Sequence, residues 1–388
     1  MIADSAAETA RPVPAISVRH GLSALDDLSS HWLALEAQGA PANLFQSHAL
    51  TAIWARNFLK SPADGELLVL ILHQDENPML ILPLVVEQHL GTRLARVTGA
   101  PIAQYAEALG PAEATPENSA ALLAALRAAG IDAVHFQGIR AGSFLERFSA
   151  RLGLIPGNKR AAPFAELGDG RGHEAFLRER SRSLAKKLRA RQRQLQERGP
   201  VRFEVLEHGP AARQAMENAM HFKREWLARR GAMSTAFLDP LSAECLLDLA
   251  ENLPGALLHV LRCGEHIVAI RLGFARHGFF FSYLSAYDES LAEFSPGKLL
   301  MDFTFSWARQ QHFAGIDLLP PESDNKALWC EESTEVADYD LALSHKGRLY
   351  GALYQRGLRP LLRNLYYALP VTARQRLARR LLAGTEPD

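Results

Sequence analysis

One order of elements is written twice along the 388 residues, and that repetition constrains the fold more than any single motif. In the second half, apolar residues at strand and helix spacing predict a strand over 201–206, helices over 211–230 and 242–252, and strands over 257–262, 267–274 and 279–285. A helix over 297–311 and a strand over 316–319 follow. Cys263-Gly264-Glu265-His266 and Arg276-His277-Gly278 are turns suited to a meander, and a long charged helix over 174–198, stopped by Gly199-Pro200, leads into the series. The first half reads as a degraded copy. Helices over 25–37 and 47–59, the latter with Leu50, Ile53, Trp54 and Phe58 on one stripe behind a Ser47 cap, precede strands over 67–72, 79–86 and 93–98. A helix over 117–129, stopped by Gly130, and a strand over 133–137 complete it. The expected class is α/β (α+β), with two tandem domains, each a mixed, mainly antiparallel sheet flanked by helices. The expected boundaries are a disordered tail over 1–15, domains over 16–165 and 166–345, and a basic extension over 346–388.

Composition narrows the function classes. With 48% hydrophobic and 22% charged residues the chain can bury two sizeable cores, so neither disorder nor a fibrous repeat fits. Lys plus Arg and Asp plus Glu are 43 each, so there is no whole-molecule attraction to nucleic acid and any basic surface is local. Cys245, Cys263 and Cys330 lack CxxC spacing, which argues against a disulfide framework or a zinc ribbon and for a reducing compartment. Residues 1–14, with Asp4 and Glu8, carry no apolar leader pattern, and no run reaches the ~18 apolar residues of a spanning helix. The expectation is a cytoplasmic protein. None of the 14 histidines sits in HExxH or at zinc spacing with cysteine, so no metal is expected, and GxSxG and GxxxxGK[ST] are both absent.

The motif that can carry chemistry is Phe294-Ser295-Pro296-Gly297-Lys298-Leu299-Leu300, between a strand and a helix. A helix start exposes unpaired N–H groups and partial positive charge; Gly297 lets a ligand approach the backbone, and Lys298 adds a full charge. That suits a pyrophosphate. An ordinary helix start, with Ser295 as cap and Pro296 in the first turn, explains the same letters.

In order along the chain stand Phe222-Lys223-Arg224-Glu225-Trp226, Arg230-Gly231, Ile267-Val268-Ala269, Leu272-Gly273, Tyr287-Asp288, Ser295-Pro296-Gly297 with Leu299-Leu300, Asp317, and Lys326 with Trp329. Weaker pieces, Phe45-Gln46-Ser47 and Leu82-Pro83-Leu84, lie in the first half. This set resembles the Gcn5-related N-acetyltransferase (GNAT) fold, and within it the acyltransferases associated with cellulose and exopolysaccharide biosynthesis, relatives of the FemAB peptidoglycan transferases. The resemblance implies a tandem GNAT-like fold with acetyl-CoA or another acyl-CoA on the second copy, held by Ser295, Pro296, Gly297, Lys298 and Leu299. It implies catalysis from Asp317 or Asp288 as base, Lys326 orienting an acidic group or stabilising charge, and Tyr287 protonating sulfur, with Lys223, Trp226 and Trp329 on the acceptor. Plain structural roles, as turn residues, a solvated charge and a strand-edge aromatic, stay open for the four catalytic candidates. The sequence departs from the family between Asp317 and Lys326, where Leu318-Leu319-Pro320-Pro321-Glu322-Ser323-Asp324-Asn325 replaces a glycine turn and a tyrosine.

Two basic segments remain. The stretch 171–198 is dense in Arg and Lys, among them Arg178, Arg180, Lys186, Lys187 and Arg189, and reads as a solvated inter-domain helix, an anionic-ligand site or a nucleic-acid surface without stacking aromatics. From 341 to 385 there are nine Lys/Arg and no Asp or Glu, interspersed with leucines and tyrosines. That pattern suits peripheral contact with an anionic membrane, at its inner face, or a helix docked on the second domain. The functional expectation is transfer of an acyl group from acyl-CoA to an amino or hydroxyl group of a sugar or amino-acid-derived acceptor, small molecule or glycan, in exopolysaccharide or cell-envelope biosynthesis. A non-catalytic scaffold of that machinery and a tRNA-dependent, FemAB-like aminoacyl transferase are the alternatives.

Overall fold

The computed structural model describes residues 14–374 except 169, 171, 232–236, 238 and 371; the expectations for 1–13 and 375–388 lie outside the described residues. Twelve strands form one sheet in the order β1-β2-β3-β4-β5-β12-β6-β11-β10-β9-β8-β7. The first half supplies β1 (Ala15–His20), β2 (Glu66–Gln74), β3 (Asn77–His89), β4 (Thr92–Val97), β5 (Ala133–Arg140) and β6 (Gly157–Glu166). The second supplies β7 (Val201–Glu207), β8 (Ala256–Cys263), β9 (His266–Arg276), β10 (Phe279–Tyr287), β11 (Gly315–Asp317) and β12 (Glu332–Ala342). In each half the first four strands are antiparallel and the fourth pairs parallel with the fifth, β4 with β5 and β10 with β11. The duplication is therefore built into the strand order, and the fold is a tandem of mixed, mainly antiparallel sheets flanked by helices.

The sixth strands are exchanged. β6 pairs antiparallel with β11 of the second half, β12 pairs antiparallel with β5 of the first, and the two pair with each other in the middle. Neither strand was expected, because both are too polar to read as buried. Their polar groups face each other across the ladder: Lys159 with Glu335 at 3.0 Å and Arg160 with Asp338 at 2.7 Å. These cross-strand ion pairs accompany buried apolar residues of the same two strands, Ala162 and Val336 among them.

Helices α1 (Ser23–Asp27), α2 (Ser29–Gln38) and α3 (His48–Phe58) stand where two were expected, and β1 starts inside the span expected to be a tail. Ser47 caps α3 by accepting from the Leu50 N–H at 3.4 Å. After α4 (Pro116–Ala128) and α5 (Phe144–Arg151), the expected long helix is two, α6 (His173–Arg180) and α7 (Arg182–Gln196). Ser181 is fully extended between them, and its hydroxyl caps α7 at Leu184. Then come α8 (Pro210–Arg230), α9 (Pro240–Asn252) and α10 (Pro296–Gln310). One core is common to both halves, with Trp32, Leu50 and Trp54 packed in the same cluster as Met216, Leu246 and Phe274. Separate cores close the opposite faces, under α4 and α5 in the first half and under α6, α7 and α10 in the second.

Candidate functional site

A cavity forms where β10 outruns β11. The two strands pair only over Phe279–Phe281 and Gly315–Asp317, while β10 continues to Tyr287 and the chain after Asp317 leaves the sheet. A bulge between Ser282 and Leu284 aims the Tyr283 hydroxyl at the Ile102 carbonyl of the first half, 2.8 Å away. The resulting space, about 800 Å³, is bounded by the end of α8, the start of α10 and the segment 318–329.

The start of α10 opens on this space. Ser295 has φ 53° and ψ 49°, and its side chain makes no capping bond, so the ordinary Ser-cap explanation does not hold. Its carbonyl takes the N–H groups of Lys298 and Leu299 at 2.9 and 3.2 Å. Pro296 has no N–H, which leaves that of Gly297 without an acceptor among the described residues. A Cβ at Gly297 would lie 3.6 Å from the Tyr287 ring, an ordinary contact. Tyr287, Ser295, Pro296, Gly297 and Lys298 all line the cavity; Leu299 is buried behind them.

Among the described residues, every charged residue lining the cavity is a cation: Lys223, Arg230, Arg271, Lys298 and Lys326, with no Asp or Glu. Lys223 and Arg230 flank the Trp226 ring at 4.6 and 4.5 Å. Burial, reinforced by the charge of Arg230, pulls the Lys223 pKa down. The Lys326 ammonium donates to the carbonyls of Leu319 at 2.7 Å and Pro321 at 2.8 Å, so it is tied to the turn that contains Pro320-Pro321. Trp329 is buried beside the cavity and lies 5.2 Å from Phe305.

The two carboxylates expected to catalyse do not line the cavity. Asp317 is 2% exposed and accepts from the Tyr105 hydroxyl, 2.9 Å from each carboxylate oxygen, and from the Leu319 N–H at 2.8 Å. Arg140, 4.0 Å from Asp317, lies over the Tyr105 ring at 4.8 Å. Burial pushes the Asp317 carboxyl up against the pull of Arg140, and burial beside that carboxylate raises Tyr105 well above its ordinary value. Asp288 caps a short 3-10 turn, Glu289–Phe294, by accepting from Ser290, and pairs with His266 at 2.8 Å. Burial opposes its ionisation, but the bonds from Ser290 and His266 hold its carboxyl below the usual range.

Three residues of the site were not expected. Arg180 donates to the carbonyls of Ala327, Leu328 and Cys330 at 2.8, 3.3 and 2.9 Å and pairs with Glu331, which fixes the segment that carries Lys326 and Trp329. Tyr105 comes from a loop of the first half. Arg271 was legible as the one charge in the apolar run His-Ile-Val-Ala-Ile-Arg-Leu-Gly-Phe. The rest of the basic stretch is partly self-neutralised, with Arg178 and Arg189 sharing Glu174. Among the described residues no group of His, Cys, Asp and Glu is arranged to hold a metal ion.

Beyond the sheet, α11 (His345–Tyr350), a π-helical turn (Gly351–Leu358) and α12 (Arg359–Ala368) form the C-terminal extension. Among the described residues of this extension, Leu349, Leu353, Leu358, Leu361, Leu365 and Leu369 are 42–65% exposed. The Tyr366 hydroxyl donates to the Gly231 carbonyl at 3.1 Å, which sets α12 beside the end of α8. No helix among the described residues is long and apolar enough to cross a membrane.

The profile of the acetyltransferase (GNAT) domain family matches residues 182–327, the span that builds most of this cavity. No curated protein matches the chain in sequence. Among solved structures, that of FemX superposes with a TM-score of 0.50 at 11% identity, over 74% of this chain and 89% of that one. A conserved protein of unknown function from Bacteroides thetaiotaomicron VPI-5482 gives 0.51 at 12% identity, over 82% and 97%. These likenesses extend over both halves and show the fold.

Proposed function

We propose that the chain is an acyl-CoA-dependent acyltransferase, with the donor pyrophosphate over the start of α10 and an amine or hydroxyl acceptor entering between α8 and the segment 318–329. The observation that carries this reading is the free N–H of Gly297, at an uncapped helix start, opening on a cavity whose charged groups are all positive. The match of the second half to the GNAT domain supports acyl transfer, and the resemblance of its residue order to exopolysaccharide-associated acyltransferases supports a sugar or amino-acid-derived acceptor. In the reaction the acceptor nitrogen or oxygen attacks the thioester carbonyl, the new C–N or C–O bond forms, the C–S bond breaks, and the acceptor's proton leaves to solvent. Tyr287, beside Gly297, gives a proton to the departing thiolate, and Lys326 stabilises the negative charge that develops on the carbonyl oxygen. Trp226, in contact with Lys223 and Arg230, forms the acceptor wall. The exposed leucines of the C-terminal extension, Leu361 and Leu365 among them, support work at an anionic bilayer surface.

Titration calorimetry with acetyl-CoA tests the donor site. Gly297→Glu sets a carboxylate where the phosphates lie and is expected to weaken binding by about tenfold or more, with an unchanged circular dichroism spectrum. Gly297→Ala, whose added carbon meets only the Tyr287 ring at 3.6 Å, is expected to bind as the parent does. Parental affinity in Gly297→Glu overturns the assignment.

A further inference from the structure

Arg271 lies in the middle of β9 and is 4% exposed, between Ile270 and Leu272. A guanidinium taken out of water loses hydration that only a counter-charge or a full set of hydrogen bonds replaces. Arg271 has neither. Its Nη1 donates to the Ser282 hydroxyl, and its Nε has no hydrogen-bond partner among the described residues. Among the described residues no carboxylate supports its charge; burial brings its pKa down to about 10. Its register partners are His259 and Ser285, and the histidine is itself held neutral, its pKa pushed down to about 3 by burial and then by Arg271. The other nearby charge, Lys326, has the same sign. Arg271 lines the cavity, where no acidic side chain among the described residues answers it.

We infer that Arg271 is a binding residue for an oxyanion of the acceptor, so that the acceptor is an acidic molecule whose carboxylate or phosphate enters the cavity and sits at Arg271 on the side of Lys326. Calling that ligand the acceptor rests on the acyl-transfer reading; the anion site itself does not. The site is separate from the place proposed for the donor pyrophosphate, which uses the α10 start rather than β9. A planar guanidinium with one edge already tied to Ser282 still offers donors for a paired contact with carboxylate or phosphate oxygens. Filling it supplies the missing counter-charge and adds selectivity, because a neutral analogue would leave the cation buried and bare.

The test is thermal unfolding of the full chain in about 20 mM succinate, inorganic phosphate or chloride at matched ionic strength, for the parent and for Arg271→Met, with acetyl-CoA titrations on both. The parent is expected to gain about 3 °C in succinate or phosphate over chloride. Succinate outdoing phosphate marks a carboxylate acceptor, and the reverse marks a phosphorylated one. Arg271→Met is expected to lose that gain, to melt higher than the parent in chloride because a bare buried cation is gone, and to keep its acetyl-CoA affinity. Should the methionine variant not fold, Arg271→Lys, which keeps the charge and loses the fork, is expected to retain only part of the gain. No gain over chloride in the parent, or an undiminished gain in the variants, overturns the site. Loss of acetyl-CoA binding together with the anion gain would assign Arg271 to the donor and overturn the acceptor assignment. An Arg271-dependent gain in a parent that binds no acetyl-CoA would leave the anion site standing and remove the acyl-CoA reading.

Discussion

Lys326 is half-buried, its ammonium shared between two carbonyls, and its pKa falls to about 8 because burial and the nearby Arg271 disfavour the charge more than Asp317 favours it. Its folded-state pKa is thus below the ~10.4 of an unfolded lysine. Between these values the unfolded chain binds more protons than the folded one, so this group's contribution to stability rises with pH through that window and is lost as pH falls through 8. In urea titrations the gain in stability of Lys326→Met over the parent is expected to be largest at neutral pH and to shrink toward pH ~10. A gain that does not change with pH would mean that the amine titrates as in water. The type and position of this lysine were legible in the sequence, as was the oddity of an arginine at 271. The burial that shifts both was not, since it depends on how β10, β11 and the segment after them enclose the cavity.

Secondary elements followed their own local signals wherever one face is apolar. The stripe on α3 and the meander β8–β9–β10 lie where the spacing put them, while Ser181 split an expected helix by becoming an N-cap in mid-pattern. The C-terminal extension shows the reverse: its charge and leucine content allowed a docked or a surface-bound helix, and only the surroundings decide whether its leucines are covered. We propose that they meet an anionic bilayer, because nine cations and no Asp or Glu lie between 341 and 385 and the leucine stripe is exposed. The full chain is expected to co-sediment with phosphatidylglycerol vesicles, not with phosphatidylcholine vesicles, and to be released by salt. Replacing Leu361 and Leu365 together by Ser is expected to lower the partition coefficient by roughly tenfold or more, from the apolar area withdrawn from the bilayer. Equal, weak sedimentation with both lipids rules the surface out.

At the scale of the whole molecule the halves are tied by exchange of β6 and β12, by a common core and by a buried polar latch, Tyr105 and Arg140 of the first half on Asp317 of the second. Because both oxygens of Asp317 are engaged there, Asp317→Asn is expected to cost about 1–3 kcal/mol of stability, read as a lower urea midpoint, while acetyl-CoA affinity and turnover per folded molecule stay within a few fold. A loss of turnover near 10² at an unchanged midpoint would instead make this carboxylate the base. The amino-acid sequence by itself determined the duplicated order of elements and, to within one residue, the helix start expected at 297 and found at 296, since both follow from contacts and conformations within a few residues. Only the tertiary structure decided which half each sixth strand completes, that Asp317 meets Tyr105, and that Arg271 has no counter-charge among the described residues. Those outcomes depend on residues far apart in the chain, up to 212 positions for Tyr105 and Asp317, and no local pattern of polarity encodes such a pairing.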